Sequence, residues 1–119
     1  ELFEYIQTSY DAHLSFEQMS TPLCFLGHSH VPVTFFQKRL VTYTMETKIK
    51  VDTGAKTMVN VGSVGQPRDE RPEAAYALFD SEEKVVWVKR VKYDIDKAAK
   101  KIISAGLPEI LAERLRYGR

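Results

Sequence analysis

An apolar run that ends in a glycine and two closely spaced histidines, LCFLGHSHVP over residues 23–32, constrains the fold of this chain most strongly. Four apolar residues before Gly27 are typical of a buried strand that ends at the glycine. Because side chains alternate along a strand, His28 and His30 should leave the chain on one side and diverge toward two neighbouring ions. Neutral imidazole is the commonest metal ligand. A tight turn held by backbone hydrogen bonds is the alternative, but the preceding strand, Gly27 and Pro32 favour a metal site.

The composition is that of an ordinary globular segment and excludes several classes of function. The 119 residues are 44% hydrophobic and 28% charged, which suits one compact unit. A net charge of +1 gives no bulk attraction to nucleic acid or to a membrane surface. No apolar stretch approaches the ~20 residues that a membrane span needs. The single cysteine, Cys24, allows no internal disulfide, and we therefore predict a cytoplasmic protein.

Hydrophobic periodicity predicts a mixed α/β unit with a sheet rich in antiparallel strands. A helix is expected over residues 2–19, where Leu2, Phe3, Ile6 and Tyr10 fall at helical spacing and Ser15 can open a second short helix. Two further helices are expected, one capped by Asp94 and stopped at Gly106, and one after Pro108. Runs of β-branched and aromatic residues predict strands at 23–26, 33–37, 40–45, 48–51, 57–61, 73–80 and 85–91.

A glycine-rich segment, GSVG at residues 62–65, directly follows one of these predicted strands. Such a turn can present backbone N–H groups to an anion. The same glycines are also typical of a simple tight turn, which we favour because no helix plainly starts there. Asn60, at the end of the strand, either orients a metal-site histidine or forms an Asx turn.

An arginine follows this loop, and it has two interpretations. Arg68 can donate two hydrogen bonds to a substrate phosphate. A surface ion pair with Asp69 or Glu70 is the more usual role for an arginine in such a position, and we favour it. Asn60, Ser63 and Arg68 are the candidates for contacts with a substrate or with the metal ligands.

Both segments resemble signature blocks of the calcineurin-like metallophosphoesterases. GHSHVP at residues 27–32 is similar to the GHTHxP block that carries the last metal ligands of that superfamily. VNVGSVGQPRD at 59–69 is similar to the NPGSVGQPRD segment of its small bacterial and archaeal members. AAYALFD at 74–80 and AGLP at 105–108 continue the match in order, so the resemblance covers nearly the whole chain.

The resemblance implies that residues 1–119 form the C-terminal half of a single domain, a four-layer α/β/β/α sandwich. It also implies hydrolysis of a phosphomonoester or phosphodiester by a hydroxide that bridges two divalent metal ions. His28 would bind one ion and His30 the other. The resemblance favours Mn²⁺. Fe, Ni or Zn are alternatives, because two imidazoles without a thiolate do not select one metal.

The remaining ligands of that superfamily, in its DxH, GD and GNH blocks and a further histidine, do not occur in this sequence. The other histidine of the chain, His13, lies in no such block. We therefore expect an N-terminal half of the same domain to complete the site. An isolated half would expose an apolar sheet face, so that half or a homo-oligomer should cover it. The expected substrate is a phosphorylated small molecule or nucleotide.

A second hypothesis comes from another class of protein. The chain could be a non-catalytic scaffold or interaction segment that retains the fold. The intact pair His28 and His30 favours the hydrolase, whereas the absence of acidic ligands from this sequence favours the scaffold.

Overall fold

The computed structural model describes residues 5–119, so the predicted helical positions Leu2 and Phe3 lie outside the described residues. Three helices and seven strands follow one another in this part of the chain. They are α1 (Ser9–Gln18), β1 (Leu23–Leu26), β2 (Val33–Gln37), β3 (Val41–Thr44), β4 (Lys48–Lys50), β5 (Lys56–Asn60), β6 (Ala74–Asp80), β7 (Val85–Val91), α2 (Ile95–Ser104) and α3 (Glu109–Tyr117). In the described part of the chain, no helix has the length and apolar character needed to cross a membrane.

Helix α1 begins later than the periodicity predicts and is continuous. A capping box fixes its start: Asp11 N donates to Thr8 Oγ1 at 3.2 Å, and Thr8 N donates to the Asp11 carboxylate at 2.8 Å. The prediction that Ser15 opens a second helix is wrong, because the helix that starts after Thr8 runs through Ser15. Tyr10 shares the apolar spacing that predicted the helix, but its side chain is exposed and not part of a buried helix face.

The strands form two sheets, and antiparallel pairing dominates both. The first sheet has the order β1-β5-β2-β3 and the second β4-β7-β6. Only β1 and β5 run parallel, with Leu26 opposite Asn60, and the other described pairs are antiparallel. The predicted mixed α/β fold with an antiparallel-rich sheet is confirmed.

Two hydrophobic clusters hold three layers together. Between the sheets, Val59 of the first sheet packs with residues of the second sheet and its flanks, namely Ile49, Val51, Val86 and Val88. Beneath α1, the outer face of the first sheet carries a second cluster, formed by Ala12, Phe16, Phe35 and Met58. Helix α1, the first sheet and the second sheet therefore stack in that order.

The last two helices form a hairpin. Asp94 caps α2 as predicted, accepting a hydrogen bond from Lys97 N at 2.9 Å. The chain turns at Gly106 just after α2, and Pro108 stands at the cap of α3. At the end of α3, Gly118 adopts φ 65°, and an added Cβ would lie 2.6 Å from the backbone nitrogen of Arg71. The hairpin thus docks by its C-terminal end on the loop between β5 and β6.

Candidate metal centre

The two motif segments begin at the same edge of the first sheet. Because β1 and β5 are parallel neighbours, Leu26 and Asn60 end side by side, and Val61 N donates to Leu26 O at 3.1 Å. We call residues 27–32 the histidine loop and residues 61–69 the glycine loop. Loops at the carboxyl ends of parallel strands are the usual place for a site in such sheets. The two loops are separated by 28 residues in sequence but are adjacent in the structure.

The histidine loop is strained. His28 has φ 69° and His30 has φ 64°, and the left-handed region is rarely adopted by residues other than glycine, asparagine and aspartate. The loop also turns tightly, with Ser29 N donating to Gly27 O at 2.9 Å. Strand alternation therefore does not govern this segment, because both residues lie outside the extended conformation. Strain of about 1–3 kcal/mol per residue persists only where surrounding contacts over-determine the conformation, and it is concentrated at functional sites.

The imidazole of His30 is fixed in one tautomer. Its Nδ1 lies 2.7 Å from the backbone carbonyl oxygen of Gln66, in the glycine loop. A carbonyl only accepts hydrogen bonds, so Nδ1 must carry the proton. In the neutral ring, Nε2 then keeps its lone pair for a ligand. A histidine that binds a metal almost always makes such a contact through its other ring nitrogen.

His28 is exposed at the surface, and its ring is held by stacking. The ring of Tyr5 lies on it with centroids 3.9 Å apart and an interplanar angle of 22°. Tyr5 is a site residue that the sequence analysis missed. Its position 23 residues before His28 carries no motif, so no sequence signal could have found it.

Asn60 connects the two loops and is fully buried. Its Nδ2 donates to Gly27 O and to Ser29 Oγ, both at 2.8 Å. Its Oδ1 accepts from Gly62 N at 3.0 Å, which closes an Asx turn at the start of the glycine loop. Asn60 makes no hydrogen bond to either imidazole, but it holds the Gly27 carbonyl and the Ser29 hydroxyl on the two sides of His28.

Replacing Asn60 by leucine should lower the free energy of unfolding by about 3 kcal/mol or more, because buried polar groups in both loops lose their partner. Urea unfolding followed by circular dichroism measures the change. Gln18→Leu, at an exposed position of α1, is the control for adding a leucine. A loss below about 0.5 kcal/mol for Asn60→Leu, the range of surface substitutions, would contradict this role.

Two backbone N–H groups of the glycine loop already have hydrogen-bond acceptors within the protein. Gln66 N donates to Ser63 Oγ at 3.0 Å, and Gly62 N is bonded to Asn60. Gly62 has φ 81°, and an added Cβ would lie 2.7 Å from Cγ of Pro32 in the histidine loop. These contacts favour a tight turn that packs against the histidine loop, and they give Ser63 a place in that turn.

Arg68 is exposed, and its contacts differ from the ion pair that the sequence suggested. Its guanidinium donates to Gln66 Oε1 at 2.7 Å, and its backbone N donates to His30 O at 3.3 Å. The expected partners are engaged elsewhere, Asp69 with Arg90 and Glu70 with Arg119. The ion-pair interpretation of Arg68 is therefore wrong for these two acids, and its side chain stands next to the residue that contacts His30.

The described residues do not supply a full ligand set. Within residues 5–119, no three side chains among His, Cys, Asp and Glu lie close enough together to hold one metal ion. His13, the remaining histidine, is on α1, with Nε2 3.7 Å from a Glu17 carboxylate oxygen. The pair His28 and His30 fits a metal by its chemistry, but further ligands would have to come from outside this set.

Comparisons with known proteins bear on the fold through two solved structures. No known protein-family profile matches the chain. It is 46% identical over 98 residues to the uncharacterized protein MJ0912 of Methanocaldococcus jannaschii, covering 82% of this chain and 40% of that protein. A crystal structure of a metallophosphoesterase from Sphaerobacter thermophilus superimposes with a TM-score of 0.84 at 36% identity, over 98% of this chain and 49% of that chain.

A second solved structure, the hypothetical protein PH1004 from Pyrococcus horikoshii OT3, has a TM-score of 0.63 at 20% identity and matches 95% of this chain and 39% of its own. The chain thus belongs to the class of mixed α/β sandwiches. More narrowly, it has a metallophosphoesterase-like fold, as its likeness to the Sphaerobacter thermophilus protein shows. It spans about half the length of that protein and less of the other two.

Proposed function

We propose that this chain is part of a metal-dependent phosphoesterase that hydrolyses a phosphomonoester or phosphodiester. The observation that carries the proposal is the bond between His30 Nδ1 and Gln66 O, which leaves Nε2 of a strained, partly buried histidine ready for a metal. The likeness to a solved metallophosphoesterase supports the same class of activity.

Each residue of the proposed site has a distinct role. His30, through Nε2, binds one ion, and His28, oriented by Tyr5, binds the other. Two divalent ions, with Mn²⁺ favoured over Fe, Ni or Zn, would supply an activated water and stabilise negative charge on the phosphoryl oxygens. Arg68, exposed beside Gln66, donates to the phosphate of the substrate.

The proposal includes a further segment that completes the site. Residues 1–119 would be the C-terminal part of one domain, and an N-terminal half would bring the acidic and remaining histidine ligands. Support comes from β1 and β6. Each of them is an edge strand, β1 of the first sheet and β6 of the second. Phe25 and Phe79 on these strands are 44% and 41% exposed and meet edge to face at 6.0 Å. Apolar side chains across the mouth of the inter-sheet core suit coverage by more of the same domain.

One observation favours the second hypothesis, a non-catalytic scaffold. The described residues contain no group of three ligands, so residues 5–119 by themselves hold no complete site. The scaffold hypothesis predicts no catalysis by the complete protein either, which separates it from the hydrolase.

Hydrolysis of bis-p-nitrophenyl phosphate with Mn²⁺ tests the proposal. The complete protein and the 119-residue chain alone are assayed side by side. We expect turnover by the complete protein, loss of turnover on adding a chelator, and no turnover by the chain alone. No turnover by the metal-loaded complete protein with phosphomonoester, phosphodiester and nucleotide substrates would favour the scaffold.

A further inference from the structure

We propose that Asp69 and Arg90 form a positioning pair that presses the Gln66 carbonyl against His30 and thereby keeps Nε2 of His30 free for a ligand. This inference rests on the proposed function only in taking His30 as a metal ligand. Neither residue lies in the histidine loop, and Arg90 belongs to β7 of the other sheet.

Arg90 acts as a clamp on the end of the glycine loop. Its Nη2 donates to Asp69 Oδ2, and its Nη1 donates to Glu73 O at 3.0 Å and to Arg71 O at 3.4 Å. The side chains of Arg90 and Asp69 are only 12% and 13% exposed. A planar guanidinium that donates to several acceptors at once fixes their relative positions more strictly than an ammonium group can.

Asp69 depends on this clamp. Its second oxygen, Oδ1, is buried and has no hydrogen-bond partner among residues 5–119. Removing one partner of a desolvated ion pair leaves the other charge uncompensated, so the carboxylate would have to move toward water. Any such movement carries the glycine loop with it.

The link from Asp69 to His30 is short and stiff. Gln66 precedes Asp69 by three residues, and the fully buried Pro67 between them has a fixed φ. Gln66 itself is held by two hydrogen bonds. Its backbone N donates to Ser63 Oγ, and its carbonyl oxygen lies 2.7 Å from His30 Nδ1. Displacing Asp69 therefore withdraws the carbonyl on which the tautomer of His30 depends.

The same loop has a second anchor that allows a matched control. Glu70, with φ 63°, donates its backbone N–H to Gly118 O at 3.0 Å and pairs with Arg119 at 3.0 Å. The pair of Glu70 and Arg119 is 75% and 71% exposed. Exposed ion pairs contribute little, so its removal should not move the loop.

The test uses the complete protein with five substitutions: Arg90→Met, Arg90→Lys, Asp69→Asn, the control Arg119→Met, and His30→Ala as the reference for loss of the ligand. Two-bond ¹H–¹⁵N correlations on the metal-free protein, at a pH where imidazole is neutral, report the tautomer of His30. Mn²⁺ titration calorimetry reports affinity, and circular dichroism reports folding.

We expect Arg90→Met and Asp69→Asn to convert His30 partly to the Nε2–H form and to weaken Mn²⁺ binding about 10- to 100-fold. Arg90→Lys should recover part of both effects, and Arg119→Met should match the wild type.

The outcomes separate this inference from the proposed function. If His30→Ala leaves Mn²⁺ affinity unchanged, His30 is not a ligand and the proposed function fails at that point. If His30→Ala weakens Mn²⁺ binding but Arg90→Met and Asp69→Asn keep the wild-type tautomer and affinity, the positioning role is overturned. If Arg90→Met does not fold, Arg90→Lys and Asp69→Asn decide by the same two readouts.

Discussion

Replacing His30 by alanine in the complete protein should reduce Mn²⁺-dependent turnover by more than about a hundredfold, because it removes a proposed metal ligand. The ring of His30 is only partly buried, and among residues 5–119 its one side-chain hydrogen bond is the bond to Gln66 O. The hydrophobic clusters do not include it, so circular dichroism and the midpoint of thermal unfolding should stay close to the wild type. Steady-state kinetics at saturating Mn²⁺ measure the loss, and metal analysis of the purified variant shows whether an ion is missing.

His13→Ala is the matched control for this experiment. His13 is exposed on α1 and pairs only loosely with Glu17, so its loss should leave turnover and metal content unchanged. Wild-type turnover of His30→Ala with a full complement of metal would contradict the ligand role. His28→Ala is compared with His13→Ala in the same way, and it also removes the ring on which Tyr5 stacks.

Replacing Gly62 by alanine should lower the free energy of unfolding by about 2–4 kcal/mol. Two effects add at this position. The backbone has φ 81°, where a side chain is strained, and the new Cβ would lie 2.7 Å from Cγ of Pro32 and 2.9 Å from Cβ of Ala75. Urea unfolding of the complete protein measures the loss. Because Gly62 packs on the histidine loop through Pro32, Mn²⁺ affinity should fall as well.

Gly65→Ala is the control, since it changes the same loop at a glycine where an added Cβ has nothing within 4 Å and φ lies outside the positive range. It should be neutral or slightly stabilising, because alanine restricts the unfolded chain. Equal stabilities of the two alanine variants would show that the close approach of Gly62 to Pro32 does not constrain the fold.

Most of the fold follows from local sequence patterns. Strand alternation and turn residues are local properties, and the observed strands β1, β2 and β7 have the predicted bounds. The same holds for the Asp94 cap, since a side chain that accepts from a backbone N–H three residues later is encoded within one turn. The start of α1 was missed because the capping box at Thr8 outweighed the apolar spacing that pointed to earlier residues.

In the candidate site, too, local sequence patterns predict the residues, whereas contacts between distant residues set their geometry. The sequence pointed to His28, His30 and Asn60 because they lie in recognisable segments, but it could not give their geometry. The left-handed backbone of both histidines and the contact of His30 with Gln66 depend on neighbours brought by the parallel pairing of β1 and β5. The pairing of Asp69 with Arg90 spans 21 residues and two elements, and no local pattern encodes such a contact.

Anomalous diffraction from crystals of the complete protein soaked in Mn²⁺ tests the proposed metal site most directly. We expect two anomalous peaks ~3.5–4 Å apart, one at about 2.0–2.3 Å from Nε2 of His30 and one at ligand distance from His28. Peaks elsewhere in the molecule, or none within bonding distance of either imidazole at saturating Mn²⁺, would contradict the assignment and leave the histidine loop a structural turn.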